Sequence, residues 1–102
     1  MNNVEQLKRG DLVVFTCNGG YNYPAIFHSI SRDKKENMIA CRALGLRSTW
    51  VLDKVKNGTM DIKKAYNDRI QGDFKNRVWK ITEDCLTEVE LKNYNEWKKL
   101  LA

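Results

Sequence analysis

Leu12-Val13-Val14-Phe15-Thr16, entered through Gly10-Asp11 and left through Asn18-Gly19-Gly20, is the stretch on which the fold of this chain turns. Its β-branched and aromatic residues suit a pleated surface. The Asn-Gly-Gly that follows supplies positions tolerant of positive φ, the mark of a tight turn. Tyr23–Ser31 therefore reads as a second strand folded back on the first, with Pro24 near its start, where a missing N–H does least harm. The polar Asp33-Lys34-Lys35-Glu36-Asn37 predicts a second hairpin loop, Met38–Leu44 a third strand, and Gly45 its end.

Beyond Gly45 two readings stay open. Arg47–Leu52 fits a fourth strand through Thr49, Trp50 and Val51, or a short helix opened by Ser48 and closed at Asn57-Gly58. Ile62, Ala65, Tyr66 and Ile70 recur at helical spacing, which predicts a helix near 60–71, with Thr59 as its cap and Gly72 beyond its end. Arg77–Ile81 alternates as a further strand, with Arg77, Trp79 and Ile81 on one face and Val78 and Lys80 on the other. Thr87-Glu88-Val89-Glu90 is a capping box, and Leu91, Tyr94, Trp97 or Lys98, and Leu101 follow at helical spacing. Acidic Glu88 and Glu90 at the start and basic Lys98 and Lys99 near the end agree with the helix dipole. This C-terminal helix, 88–101, is expected to lay Leu91, Tyr94 and Leu101 on the sheet. The expected class is α+β, with a small antiparallel barrel or curved sheet over residues 10–55, a C-terminal helix and a second, shorter one.

The chain of 102 residues is 42% hydrophobic and 30% charged, the make-up of one globular domain. That composition excludes a disordered tail and a collagen-like repeat. The longest apolar run, Leu12–Phe15, is far below the ~20 residues a membrane span needs. No charged-then-apolar leader opens the sequence, so a cytoplasmic location is expected. Eighteen Lys and Arg against thirteen Asp and Glu give a net charge of +5. The excess sits in residues 42–80, where Arg42, Arg47, Lys54, Lys56, Lys63, Lys64, Arg69, Lys75, Arg77 and Lys80 face only Asp53, Asp61, Asp68 and Asp73. A block of that kind neutralises phosphates and releases counterions, or simply keeps a surface solvated.

Gly10-Asp11-Leu12-Val13-Val14, Gly20-Tyr21-Asn22-Tyr23-Pro24-Ala25-Ile26-Phe27 and Ile39-Ala40-Cys41-Arg42-Ala43-Leu44-Gly45 together resemble the Tudor and PWWP group of SH3-like barrels. The Gly-Asp-x-Val opening is also similar to that of KOW-type barrels, which often contact RNA or ribosomal partners. The resemblance covers residues 10–55 and implies a small SH3-like barrel with an exposed rim, with Trp50-Val51 where a fourth strand returns. Methyl-lysine readers of that group use an aromatic cage held together by cation–π attraction. Phe15, Tyr21 and Tyr23 supply part of one, but Ala43 and Leu44 stand where its third-strand aromatic belongs, which argues against that role.

Catalytic chemistry finds little support. Cys17 and His28 become neighbours if the first two strands pair, yet His28 alternates with Ile26 and Ile30 on an otherwise apolar face and reads as a core-edge histidine. Glu83-Asp84 reads as local solvated charge, and Asn18-Gly19-Gly20 lacks the Gly-Lys-(Ser/Thr) ending of a phosphate loop. Cys17, Cys41 and Cys85 have no Cys-x-x-Cys spacing and read as reduced, mostly buried thiols, so no metal or cofactor is called for. The expectation is a non-enzymatic binding protein with neither a small-molecule substrate nor a membrane partner. DNA or RNA is favoured, through Lys54, Lys56, Lys63, Lys64, Arg69, Lys75 and Arg77 on phosphates, with Tyr21, Tyr23 or Trp50 stacking on bases. The alternative is an inhibitor or adaptor that docks on an acidic protein, with Trp50 as anchor. Ten Asn and one Pro in a short, Lys-rich chain suggest an A+T-rich coding sequence and fit a phage or mobile-element regulator of host gene expression.

Overall fold

A computed structural model describes residues 6–16, 22–33, 38–66, 69–70 and 78–101, and for 31–33, 38–41 and 69–70 the backbone alone. Strand β1 (Leu12–Thr16) pairs antiparallel with β2 (Asn22–Asp33), from Leu12 opposite Ile26 to Thr16 opposite Asn22. Strand β3 (Met38–Gly45) pairs with β2 from Asp33 opposite Met38 to Ala25 opposite Gly45. The ladders close two hairpins in the places the turn residues predict; residues 17–21 and 34–37, which join the strands, lie outside the described residues. A two-residue strand β4 (Arg69–Ile70) adds to β3, and β5 (Val78–Lys80) adds to the free side of β1. The sheet order is β4-β3-β2-β1-β5, antiparallel throughout. Among the described residues no ladder joins β4 to β5, so the sheet is open there and the fold is α+β with a five-stranded sheet.

The tolerance of Pro24 follows from this order. Its carbonyl accepts from the Leu46 N–H at 3.1 Å, on the side of β2 where β3 has just ended. The missing N–H faces that same side, toward Leu46, whose carbonyl accepts from Asn93 Nδ2 instead.

Both faces of the sheet carry apolar clusters, which explains the unbroken Leu12–Phe15 run. Val13, Phe15, Ala25, Phe27, Ala43 and Val78 form one cluster, with Leu7 and Ile30 against it. Leu12, Ile26, Leu44 and Leu46 join Leu52, Ala65 and Trp97 from the helices on the other. Alternation along β2 would put Ile26, His28 and Ile30 on one face. The register shifts between Phe27 and Ser29, opposite Ala43 and Arg42, which makes His28 an extra residue, a β-bulge. Ile30 therefore packs with the Phe27 cluster while Ile26 packs under the helices.

After β3 the helical alternative holds. Helix α1 (Trp50–Lys56) has Thr49 at its N-cap, and the Ser48 hydroxyl accepts from the Trp50 N–H at 3.2 Å. At its end the Thr59 N–H donates to the Lys54 carbonyl and the Gly58 N–H to that of Val55, with Gly58 at φ 84, a Schellman closure. The segment expected to return as a fourth strand at Trp50-Val51 is thus helical. The helix expected near 60–71 shrinks to one turn, α2 (Ile62–Ala65), capped by Asp61 and not by Thr59. Thr59 is already engaged with the Lys54 carbonyl and the Asn57 side chain. Ile70, counted in that helix by its spacing, pairs instead with Cys41 in the β4–β3 ladder.

Helix α3 (Glu88–Leu101) starts at the capping box as expected. The Thr87 N–H donates to Glu90 Oε1 at 2.9 Å, and the Glu90 N–H donates to Thr87 Oγ1 at 3.2 Å. Its inward stripe is Glu90, Asn93 and Trp97; Leu91 and Tyr94 only flank it, and Leu101 is exposed. Polar anchors set this rotation. Asn93 Nδ2 donates to the Leu46 carbonyl at 2.8 Å, and Arg47 Nε lies 3.6 Å from Glu90 Oε2. The corner after β3 is thereby held by β2 on one side and α3 on the other. Trp97, 1% exposed, fills the space below, and its indole N–H has no hydrogen-bond partner among the described residues. Cys85, expected among buried thiols, is exposed, and no described helix is long and apolar enough to cross a membrane.

Three substitutions test this packing by urea denaturation. Thr87→Ala costs about 1 kcal/mol through the lost cap; unchanged stability would mean the box does not hold α3. Trp97→Ala costs about 3–5 kcal/mol, whereas Trp97→Phe costs far less, because it keeps most of the ring and removes an orphan donor worth about 1–3 kcal/mol. Equal losses for the two would show that the indole N–H is satisfied.

Candidate anion-binding pocket

Lys8-Arg9-Gly10-Asp11 forms a tight turn ahead of β1. The Asp11 N–H donates to the Lys8 carbonyl at 3.0 Å, and Gly10, third in the turn, has φ 95. Only glycine adopts that backbone without strain. Asp11 Oδ2 accepts from the Lys8 N–H at 2.8 Å and tightens the turn further. The turn is fastened to β2 at one residue: the Gly10 N–H donates to the Phe27 carbonyl at 2.8 Å, and the Phe27 N–H donates to the Asp11 carbonyl at 2.9 Å. Arg9 is therefore presented beside the residue that follows Phe27, which is the bulged His28.

The half-buried His28 ring meets Tyr66, just beyond α2, at a centroid distance of 4.2 Å with the planes tilted by 38°. Nδ1 of His28 lies 2.8 Å from Ser29 Oγ. Burial lowers the His28 pKa below its ordinary 6.5, and the positive charges of Arg9 and Arg42 lower it further. Burial also raises the Tyr66 pKa, opposed by Arg9. These rings, with Arg9 and Gly10 from the turn, Arg42 from β3, Ile62 and Lys63 from α2, and Leu101 at the end of α3, line a pocket of about 600 Å³. Arg42 and Ala43 are neighbours on β3 and so point to opposite faces, which puts Arg42 on the helix-bearing side. Among the described lining residues three are cationic and none is a carboxylate. The arrangement attracts an anion and offers aromatic and aliphatic walls to whatever carries it.

The residues expected from sequence separate into groups. Lys63 lies in this pocket, and Lys64 is exposed on the same turn of helix. Arg69 stands opposite Arg42 in the β3–β4 register. Lys54 and Lys56 lie on α1 and are engaged: Lys54 Nζ sits 3.7 Å above the Trp50 ring, and Lys56 Nζ is 3.7 Å from Glu96 Oε2. Trp50 is 63% exposed, and Tyr23 is exposed under the Arg47 guanidinium at 4.9 Å. Lys75, Arg77 and Tyr21 lie outside the described residues, as does Cys17. Sequence reasoning missed Arg9, Arg42, His28 and Tyr66 as members of one site. The Gly10 turn signal beside Arg9 was readable; the bulge that brings His28 to it was not.

The charge environment has a pH signature. Folded His28 binds a proton less readily than unfolded His28, so its contribution to stability is full above pH 6.5 and is lost as pH falls through 6.5 toward the folded midpoint. In anion-free buffer the His28 ring titrates by NMR below 6.5, and the melting temperature declines over that interval more than in His28→Gln. A midpoint at or above 6.5 would contradict a pocket dominated by positive charge. No protein-family model, curated protein or solved structure matches the chain.

Proposed function

We propose that the protein binds nucleic acid without catalysis, through phosphate contacts centred on this pocket. The observation that carries the proposal is the convergence of Arg9, Arg42 and Lys63 on one cavity walled by His28 and Tyr66. Lys64, exposed on the same turn of helix, extends positive charge beyond it. Backbone phosphates answer such cations, and bases answer the rings, the combination used for single strands. No long helix bears the cationic cluster: α2 has four residues, and α3 brings only its end to the pocket. Weak sequence preference is expected from such a surface, since base edges in the major groove are read by an inserted helix or ribbon.

A second reading, docking on an acidic protein, draws support from Trp50. An aromatic 63% exposed at the start of α1 fits an interface anchor.

Fluorescence anisotropy of labelled single-stranded DNA, duplex DNA and RNA across a salt series separates the two. Binding in the micromolar range at low salt, weakening steeply as salt rises, is expected, with the single strands tightest. Changing Lys63 and Lys64 to Ala flattens the log–log salt slope by about 0.7 for each phosphate no longer neutralised. An unchanged slope would move the binding surface elsewhere. Absence of binding at low salt, with an acidic protein captured from lysate in a Trp50-dependent way, would establish the second reading instead.

A further inference from the structure

His28 is the only histidine in the chain, and histidine is the side chain whose ordinary pKa puts its charge change between about pH 5 and 8. The bulge sets it in the wall of the pocket. Its half-buried ring rests against Tyr66, and Nδ1 lies 2.8 Å from Ser29 Oγ. A serine hydroxyl both donates and accepts, so the ring keeps this hydrogen bond in either charge state. What opposes a second proton on the ring is therefore its surroundings, burial first and positive charge after it.

Charged and titratable groups reach the pocket from each element around His28. The entry turn brings Arg9, β3 brings Arg42, α2 brings Lys63, and Tyr66 follows α2. Burial raises the Tyr66 pKa above its ordinary 10.0, so that ring stays neutral. The acidic residues beside these elements are engaged elsewhere. Asp11 accepts from the Lys8 N–H and lies 3.8 Å from Lys80 Nζ, while Asp61 caps α2 through the Lys63 N–H. A phosphate entering from solvent thus brings the negative charge that the described walls lack. Contact with Arg9 or Lys63 alone is enough, because Coulomb attraction acts over several ångströms at a half-buried site. Arg42 keeps the partner it already has. We propose that strand binding in this pocket is proton-linked: the bound phosphate favours the doubly protonated His28 ring, so the protein takes up a proton there and holds nucleic acid more tightly as pH falls. Linkage makes the coupling reciprocal, with protonation strengthening binding by the factor by which binding strengthens protonation. The proposal rests on the nucleic-acid reading and adds control of that site by pH.

The test uses a labelled oligothymidine without terminal phosphates, whose phosphodiesters and bases do not titrate over about pH 5–8. Affinity is read by anisotropy across that interval at one ionic strength, and the His28 ring midpoint by NMR with and without saturating oligonucleotide. The midpoint rises on binding, and affinity increases toward acid by about tenfold for each pH unit that the midpoint moves. His28→Gln loses this increase. Where that variant fails to fold, the midpoint of the parent protein decides alone. Binding with the midpoint unmoved or lowered overturns the proton link and leaves the nucleic-acid reading intact. An increase in affinity that persists undiminished in His28→Gln does the same. No binding at any pH removes both.

Discussion

The backbone of Phe27 is the joint on which the rest of the molecule depends. Its carbonyl accepts from Gly10 and its N–H donates to Asp11, two bonds of 2.8 and 2.9 Å that pin the entry turn against the sheet. One residue further, the ladder between β2 and β3 slips at His28. With the slip, Ala25, Phe27 and Ile30 share one apolar cluster, and a polar ring is delivered to the opposite face. Without it, an imidazole would lie in line with Ile26 and Ile30, and β2 could not serve both clusters. The pocket is a consequence of that packing solution. Arg9, His28 and Arg42 come from three separate segments and meet because the turn, the bulge and the register fix them there.

Charge and packing are divided between two ends of the helical layer. Near the β3–α1 corner the cations are engaged in structure. Arg47 approaches Glu90 and covers Tyr23, Lys54 covers Trp50, and Lys56 approaches Glu96. The exposed members of these pairs contribute little stability individually, but each lowers the positive charge left for a ligand or occupies an aromatic face. At the pocket, burial and then the charges of Arg9 and Arg42 lower the His28 pKa. A net charge of +5 thus says less about binding than where the neutralising carboxylates stand.

Elements marked by local chemistry were legible in the sequence. The Leu12–Thr16 strand, both hairpins, the Thr87–Glu90 box and the Asn57-Gly58 closure are written in residues that act on their immediate neighbours. Where the outcome depended on distant partners, spacing misled. Ile70 continued a helical period but was taken by the β3 edge, and Leu101 continued the α3 stripe while Asn93 and Glu90 were drawn inward by Leu46 and Arg47. The candidate site follows the same division. Lys63 is found by charge counting, whereas Tyr66 falls in with core spacing and His28 with an apolar face, because a bulge leaves no signature in the residues around it.

We propose that nucleic acid is held in this pocket and not on the Trp50 surface. Amide chemical-shift mapping of the isotopically labelled protein, titrated with a single-stranded oligonucleotide, tests it most directly. The largest shifts are expected on Arg9, Gly10, His28, Arg42, Lys63 and Tyr66. Shifts concentrated on Tyr23, Arg47 and Trp50, with the pocket amides unmoved, would contradict it.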